Sequence, residues 1–147
     1  MNEKKDTFST FHPVINFTFY IGAFLLGMML IHPVFLAVSA ITAAAFYITV
    51  KGRKAKSFLF GMIPLFLMLS FINPLFNTYG DRVLFTWWND RPYTLEALAY
   101  GTSLAAMVVT ILLWFASYSF VMTSDKFLYL FGKAAPSVSL VLTMILR

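Results

Sequence analysis

Cysteine is absent from this chain, and charge nearly so: 12% of its 147 residues are Asp, Glu, Lys or Arg, against about 25% in ordinary soluble domains. Without cysteine there are no disulfides, no Cys-ligated zinc and no thiol chemistry. The few charges are also segregated. No Asp, Glu, Lys or Arg occurs from Thr7 to Val50, from Ser57 to Gly80 or from Ala97 to Ser124. Three long charge-free blocks, in a chain that is 60% hydrophobic with a mean hydropathy of +0.79, are lipid-facing material and predict an integral membrane protein. A cleaved secretory signal does not fit. The run after Lys4 and Lys5 is longer than the roughly 7–15 residues of a signal core, and it continues past the loosely cleavage-like Ala37-Val38-Ser39-Ala40.

Catalytic signatures are missing as well. The chain has no G-x-x-x-x-G-K-[ST] phosphate loop, no H-E-x-x-H pair and no Ser/His/Asp set able to meet. Gly132-Lys133 is followed by Ala134, so it is not part of a phosphate loop. The only histidines are His12 and His32. About 20 helical residues place them about 30 Å apart, too far to share a metal. No catalytic residue, metal ligand or cofactor is expected, and any ATP used by this protein is bound by another chain.

A hydrocarbon core of about 30 Å takes about 20 helical residues, so the block from Thr7 to Val50 suits two crossings. The fold-back belongs at His32-Pro33, because proline disfavours helix at the residue before it and suits the first turn after it. The expected fold is all-α. Four transmembrane helices, at about 14–31, 33–50, 57–76 and 95–122, make up a membrane region over 1–122. Amphipathic cytoplasmic helices follow over 123–147. Pro64 should kink the third helix by removing a backbone hydrogen bond.

In FINPLFNTYGD, Phe71–Asp81, the polar residues from Asn73 to Gly80 read as punctuation at the end of that helix. Trp87, Trp88 and Tyr93 belong at a headgroup interface, with Val83–Trp88 lying on the membrane or forming a short hairpin. Thr94 is the expected N-cap of the fourth helix, with Glu96 in its first turn.

Lysine and arginine set the orientation. Lys4, Lys5, Lys51, Arg53, Lys54, Lys56, Lys126 and Lys133 fall on one side and only Arg82 and Arg91 on the other, which makes the N-terminus cytoplasmic. The basic run KGRKAK lies between apolar blocks and signals topology; nucleic acid is not an expected partner.

Inside the helices, Ala97, Gly101 and Ala105 repeat at i+4, with Ser103 and Ala106 nearby. The second helix carries Ser39, Ala40, Ala43 and Ala44. Small residues at this spacing let helices approach closely where lipid supplies no hydrophobic drive. Proton- or ion-coupled carriers place ionisable groups along the pathway, and these four helices hold none away from their ends.

In the tail, Ser124 should cap a short amphipathic helix with Asp125 in its first turn, ended by Gly132. A last helix follows from Pro136, with an apolar stripe at Val138, Val141, Leu142 and Ile145. At about 11 residues and about 16 Å it is too short to cross. It lies along the membrane, or the chain is a truncated piece of something longer; the unpartnered stripe favours truncation.

Five segments carry a resemblance: FHPVINF at Phe11–Phe17, IHPVFL at Ile31–Leu36, INPLFNTYG at Ile72–Gly80, TLEALAYG at Thr94–Gly101 and MTSDKFLYLFGKAAPSVSLVLTMILR at Met122–Arg147. In this order they resemble the N-terminal portion of the transmembrane coupling subunit of energy-coupling factor transporters, the family that includes the cobalt-transport permease. The resemblance implies a non-catalytic subunit that joins two cytoplasmic ABC-type ATPases to a small membrane protein capturing a vitamin or transition-metal ion. It also implies further coupling helix and ATPase-docking motifs beyond Arg147, so docking arginines cannot be placed here. Asp125, Lys126 and Arg147 are the partner-interface candidates, and Ala97, Gly101 and Ala105 the packing residues. The alternative is an autonomous small channel or carrier. A membrane enzyme would need acids or histidines clustered at one depth, and none are seen.

Overall fold

The structure, a computed structural model, describes residues 7–29, 31–87, 91–134 and Met144. A 3-10 turn at Thr7–Thr10 leads into α1 (Pro13–Met29) and α2 (Pro33–Lys51). A second 3-10 turn, Gly52–Lys54, joins α2 to α3 (Ala55–Phe76). Strands β1 (Val83–Trp87) and β2 (Arg91–Thr94) form a hairpin, followed by α4 (Leu95–Val121) and α5 (Ser124–Ala134). The chain is mostly helical. Two stretches are long and apolar enough to cross a membrane by length and composition: Pro33–Phe76, which takes in α2 and α3, and Leu95–Val121. α1 is apolar but shorter, at 17 residues.

The helix starts follow from local chemistry. His32 sits in extended backbone and its imidazole Nδ1 accepts from the Val34 N–H at 3.4 Å, with Pro33 at the first helical position. His12 and Pro13 repeat the device at α1, where Nδ1 of His12 accepts from the Val14 N–H at 3.4 Å. Both histidines are caps, each using a side-chain acceptor to satisfy an orphan N–H of a first turn. Gly52 ends α2 at φ 63°, a left-handed conformation that a side chain would resist.

Several expected boundaries shift. α1 ends at Met29, ahead of Ile31, and α3 begins at Ala55, so Lys56 is already helical. Asn73 and Pro74 do not end α3. The helix runs on to Phe76 with both Pro64 and Pro74 inside it, and Asn77 is its C-cap. Proline within the last turns costs only the bond to the carbonyl four residues back, and here that carbonyl belongs to Ser70. Gly132 likewise lies within α5 instead of ending it, and Ser124 is the first helical residue. The Thr123 carbonyl accepts from the Phe127 N–H at 3.0 Å. The last helix expected from Pro136, its stripe from Val138 to Ile145, and Arg147, Lys4, Lys5 and Trp88 lie outside the described residues.

α4 is the element on which the others assemble: α1, α2 and α3 all pack against it. Its buried positions divide into two sets. Ala97, Gly101 and Ala105 occupy the half nearer the hairpin, and Thr110, Leu113, Trp114, Ser117 and Val121 the half nearer α5. The second set joins an aromatic cluster. The Tyr20 ring stands 5.3 Å from Tyr118 and 6.3 Å from Trp114 between centroids, and Phe46 stands 5.6 Å from Trp114. Edge-on and tilted aromatic contacts at such separations add specific geometry to area burial.

Candidate functional site

Three places on the molecule combine close packing with polar chemistry. The first is the crossing of α3 and α4. An ideal Cβ built on Gly101 would come 2.8 Å from Asn73 Cβ and 2.9 Å from the Ser70 carbonyl oxygen, so only glycine fits. The Ser70 carbonyl is the one that Pro74 cannot satisfy, because proline has no N–H. The close approach of Gly101 presses a Cα–H face onto an oxygen with bonding capacity to spare. Ser70 is buried, and neither its Oγ nor Asn73 Oδ1 has a hydrogen-bond partner. Ala97 and Ala105, each 1% exposed, continue the same face one turn to either side. Ser103 and Ala106 lie off it, half-buried.

The second place is the loop beside the hairpin. Thr94 caps α4 by accepting from the Ala97 N–H at 3.2 Å, and its hydroxyl donates to the Tyr79 carbonyl. Glu96 Oε2 accepts from the Arg82 N–H at 3.2 Å, and the Leu95 N–H donates to the Arg82 carbonyl at 2.9 Å. Gly80, at φ 116°, packs so closely that a Cβ would meet Glu96 Oε2 at 2.5 Å. The hairpin closes with Phe85 stacked on Tyr93 at 4.6 Å, Tyr93 being buried. The loop is thus laced to the first turn of α4, and a small pocket of about 280 Å³ opens between Asn77, Tyr79, Ala97 and Tyr100.

The third place is the opposite end, where α5 meets the bundle. Of the interface candidates, Asp125 is exposed and Lys126 half-buried. Lys126 Nζ donates to the Val121 carbonyl at 3.0 Å, covering an orphan acceptor at the α4 C-terminus where a cation is favoured. Tyr129 sets its ring edge-on to His12 at 5.4 Å, and α5 packs along α1. One turn further into α1, Asn16 is fully buried with neither amide atom paired, and the Tyr20 hydroxyl and Trp114 Nε1 are buried and unpaired too. On α4 the buried hydroxyls are resolved locally: Thr110 donates to the Ala106 carbonyl and Ser117 to that of Leu113. This back-bonding is how helices hide hydroxyls. Asn16 makes no such local bond, and nothing in the sequence marks it, since a lone asparagine in an apolar run carries no spacing signal.

Among the described residues no three His, Asp or Glu side chains gather as a metal would require. Between α1 and α2, floored by Trp114, runs an apolar groove of about 820 Å³. The structure therefore brings Ala97, Gly101 and Ala105 together with Ser70 and Asn73. Asp125 and Lys126 stand about 30 Å away along α4 by helical rise. No family model matches this chain, and no curated protein or solved structure is significantly similar to it.

Proposed function

We propose that this chain is a membrane-embedded energy-coupling subunit of an ATP-driven vitamin or metal-ion uptake transporter, of the kind its five segments resemble. In this reading α1 to α4 cross the cell membrane with the N-terminus cytoplasmic, and α5 begins the cytoplasmic coupling region. Two ABC-type ATPases and a small substrate-binding membrane subunit are its partners. The apolar surface turned away from α4 supports embedding: Leu26, Met29, Ile41 and Phe60 are each more than 60% exposed, a poor surface for water and a good one for lipid.

The observation that carries the coupling role is α5. It is amphipathic, is separated from α4 by two residues, and is tied to the bundle at two points, Lys126 on the Val121 carbonyl and Tyr129 on His12. Force applied to such a helix from the cytoplasm passes directly into α4 and α1. The test is purification from the native cell in mild detergent with an N-terminal tag, reading co-purifying chains by mass spectrometry. Two ATPases and a small hydrophobic binding protein are the expected companions. Arrival of the chain alone would remove the reading, and substrate uptake by the purified chain in liposomes would replace it with an autonomous channel or carrier.

A further inference from the structure

We propose that the start of α3 is a docking surface for anionic phospholipid headgroups, with the phosphate held among Arg53, Lys54 and Lys56 at the top of the outward face of that helix. The proposal rests on the membrane reading above but not on the coupling role.

The turn holds its cations at the membrane surface. Only the residues Gly52–Lys54 separate α2 from α3, and these two helices make up the longer of the two stretches able to cross. No loop lifts Arg53, Lys54 or Lys56 away from the headgroup layer. The turn is also fixed from behind. Ala55 is fully buried, and its N–H donates to the Gly52 carbonyl. Lys51 Nζ lies over the Phe120 ring at 5.2 Å, which ties the end of α2 to the end of α4. Arg53, Lys54 and Lys56 are exposed, and none of them pairs with a carboxylate among the described residues.

Helical geometry joins this charge to lipid within a single element. Lys56, Phe60, Ile63 and Leu67 all belong to α3 and fall within about 60° of one another around its axis. Phe60 is 76% exposed, Ile63 52% and Leu67 47%, so the stripe faces away from the bundle. From Lys56 to Leu67 it rises about 16 Å, close to the roughly 15 Å depth of one leaflet. Lys56 thus stands where an outward apolar stripe reaches the headgroups, a place suited to a long stem with a charged tip. That continuity selects the partner. An acidic protein segment would complement the cations alone, whereas a phospholipid complements the cations and the apolar stripe beneath them together.

The chain has no cysteine, so one introduced thiol reports on one place. Phe60→Cys is labelled with a bimane fluorophore, and the full chain is reconstituted into symmetric vesicles of phosphatidylcholine and phosphatidylglycerol. In one series phosphatidylglycerol carries a nitroxide near the top of its acyl chain, and in the other phosphatidylcholine carries it. The expected result is quenching at least two-fold stronger by labelled phosphatidylglycerol at equal mole fraction. That preference should vanish in R53Q/K54Q/K56Q. In the unsubstituted turn it should fall in 1 M salt, where the screening length is about 3 Å. Phe76→Cys, at the other end of α3 and 80% exposed, should show none, because Arg82 and Arg91 there stand beside Asp81 and Asp90 in sequence. Equal quenching by both lipids at position 60 would overturn the proposal and leave the three cations to an acidic protein segment. The same preference at positions 60 and 76, or one that survives both the triple substitution and high salt, would overturn it as well. A chain left behind when the vesicles float would instead overturn the membrane reading and the proposal with it.

Discussion

The two halves of α4 are built on opposite principles. Near the hairpin, Ala97, Gly101 and Ala105 bring α3 so close that a single methyl on Gly101 already collides with Asn73 and Ser70. Near α5, Trp114 and Tyr118 meet α1 and α2 through aromatic rings, Tyr20 of α1 and Phe46 of α2. Backbone geometry fixes the first contact. Side-chain volume fixes the second, and both leave polar loose ends, Ser70 and Asn73 at the first and Asn16, Tyr20 and Trp114 at the second. A close crossing resists any addition, whereas an aromatic cluster can re-form around a conservative change.

Four substitutions would break or sharpen this contrast. Gly101→Leu should have the largest effect. With the nearest atoms at 2.8 and 2.9 Å the helices must part, at a cost of about 3 kcal/mol or more, seen as loss of the monodisperse peak in detergent chromatography. A wild-type melting curve for this variant would show that α3 and α4 do not meet there. Gly80→Ala follows, at about 2 kcal/mol, from a side chain placed at φ 116° with the Glu96 Cβ only 2.6 Å away; thermal unfolding should show the loss, and Glu96→Ala, which keeps that Cβ, should not restore it.

At the aromatic end the sign reverses. Asn16→Leu replaces a buried, unpaired amide with a side chain of similar size and should raise stability by about 1 kcal/mol. A drop in the midpoint of thermal unfolding would reveal a water or a partner on that amide. Smallest is Tyr20→Phe, which removes only an unpaired hydroxyl. It should shift stability by no more than about 0.5 kcal/mol, and a larger loss in the same assay would mean that the hydroxyl is bonded.

Much of the helical skeleton is legible in particular residues. Proline fixes where α1 and α2 begin, since His12-Pro13 and His32-Pro33 each place a cap before a residue with the right φ. Thr94 does the same for α4. The i+4 spacing of Ala97, Gly101 and Ala105 is visible in one helix, but Ser70 and Asn73 opposite it are not, because periodicity within a segment says nothing about which segment it will meet. Asn73-Pro74 reads as a helix end on composition alone. It is helical because burial against Gly101 outweighs the loss of one hydrogen bond. Gly132 reads as a stop for the same compositional reason, and glycine costs a helix only about 1 kcal/mol. Of the candidate site, Asp125 and Lys126 were visible as helix-start charges; the Lys126 bond to Val121 depends on how α5 turns back, which no local pattern encodes.

That α4 is the common partner of α1, α2 and α3 has a consequence for biogenesis. The helix on which all others assemble is the last of the four to be synthesised, so its companions spend the intervening seconds of translation with little to hold them to one another. Nascent chains stalled before Leu95 should be open to protease and to quality control, and those released after Val121 closed to both. The decision between a finished protein and a discarded one is therefore postponed until α4 has left the ribosome.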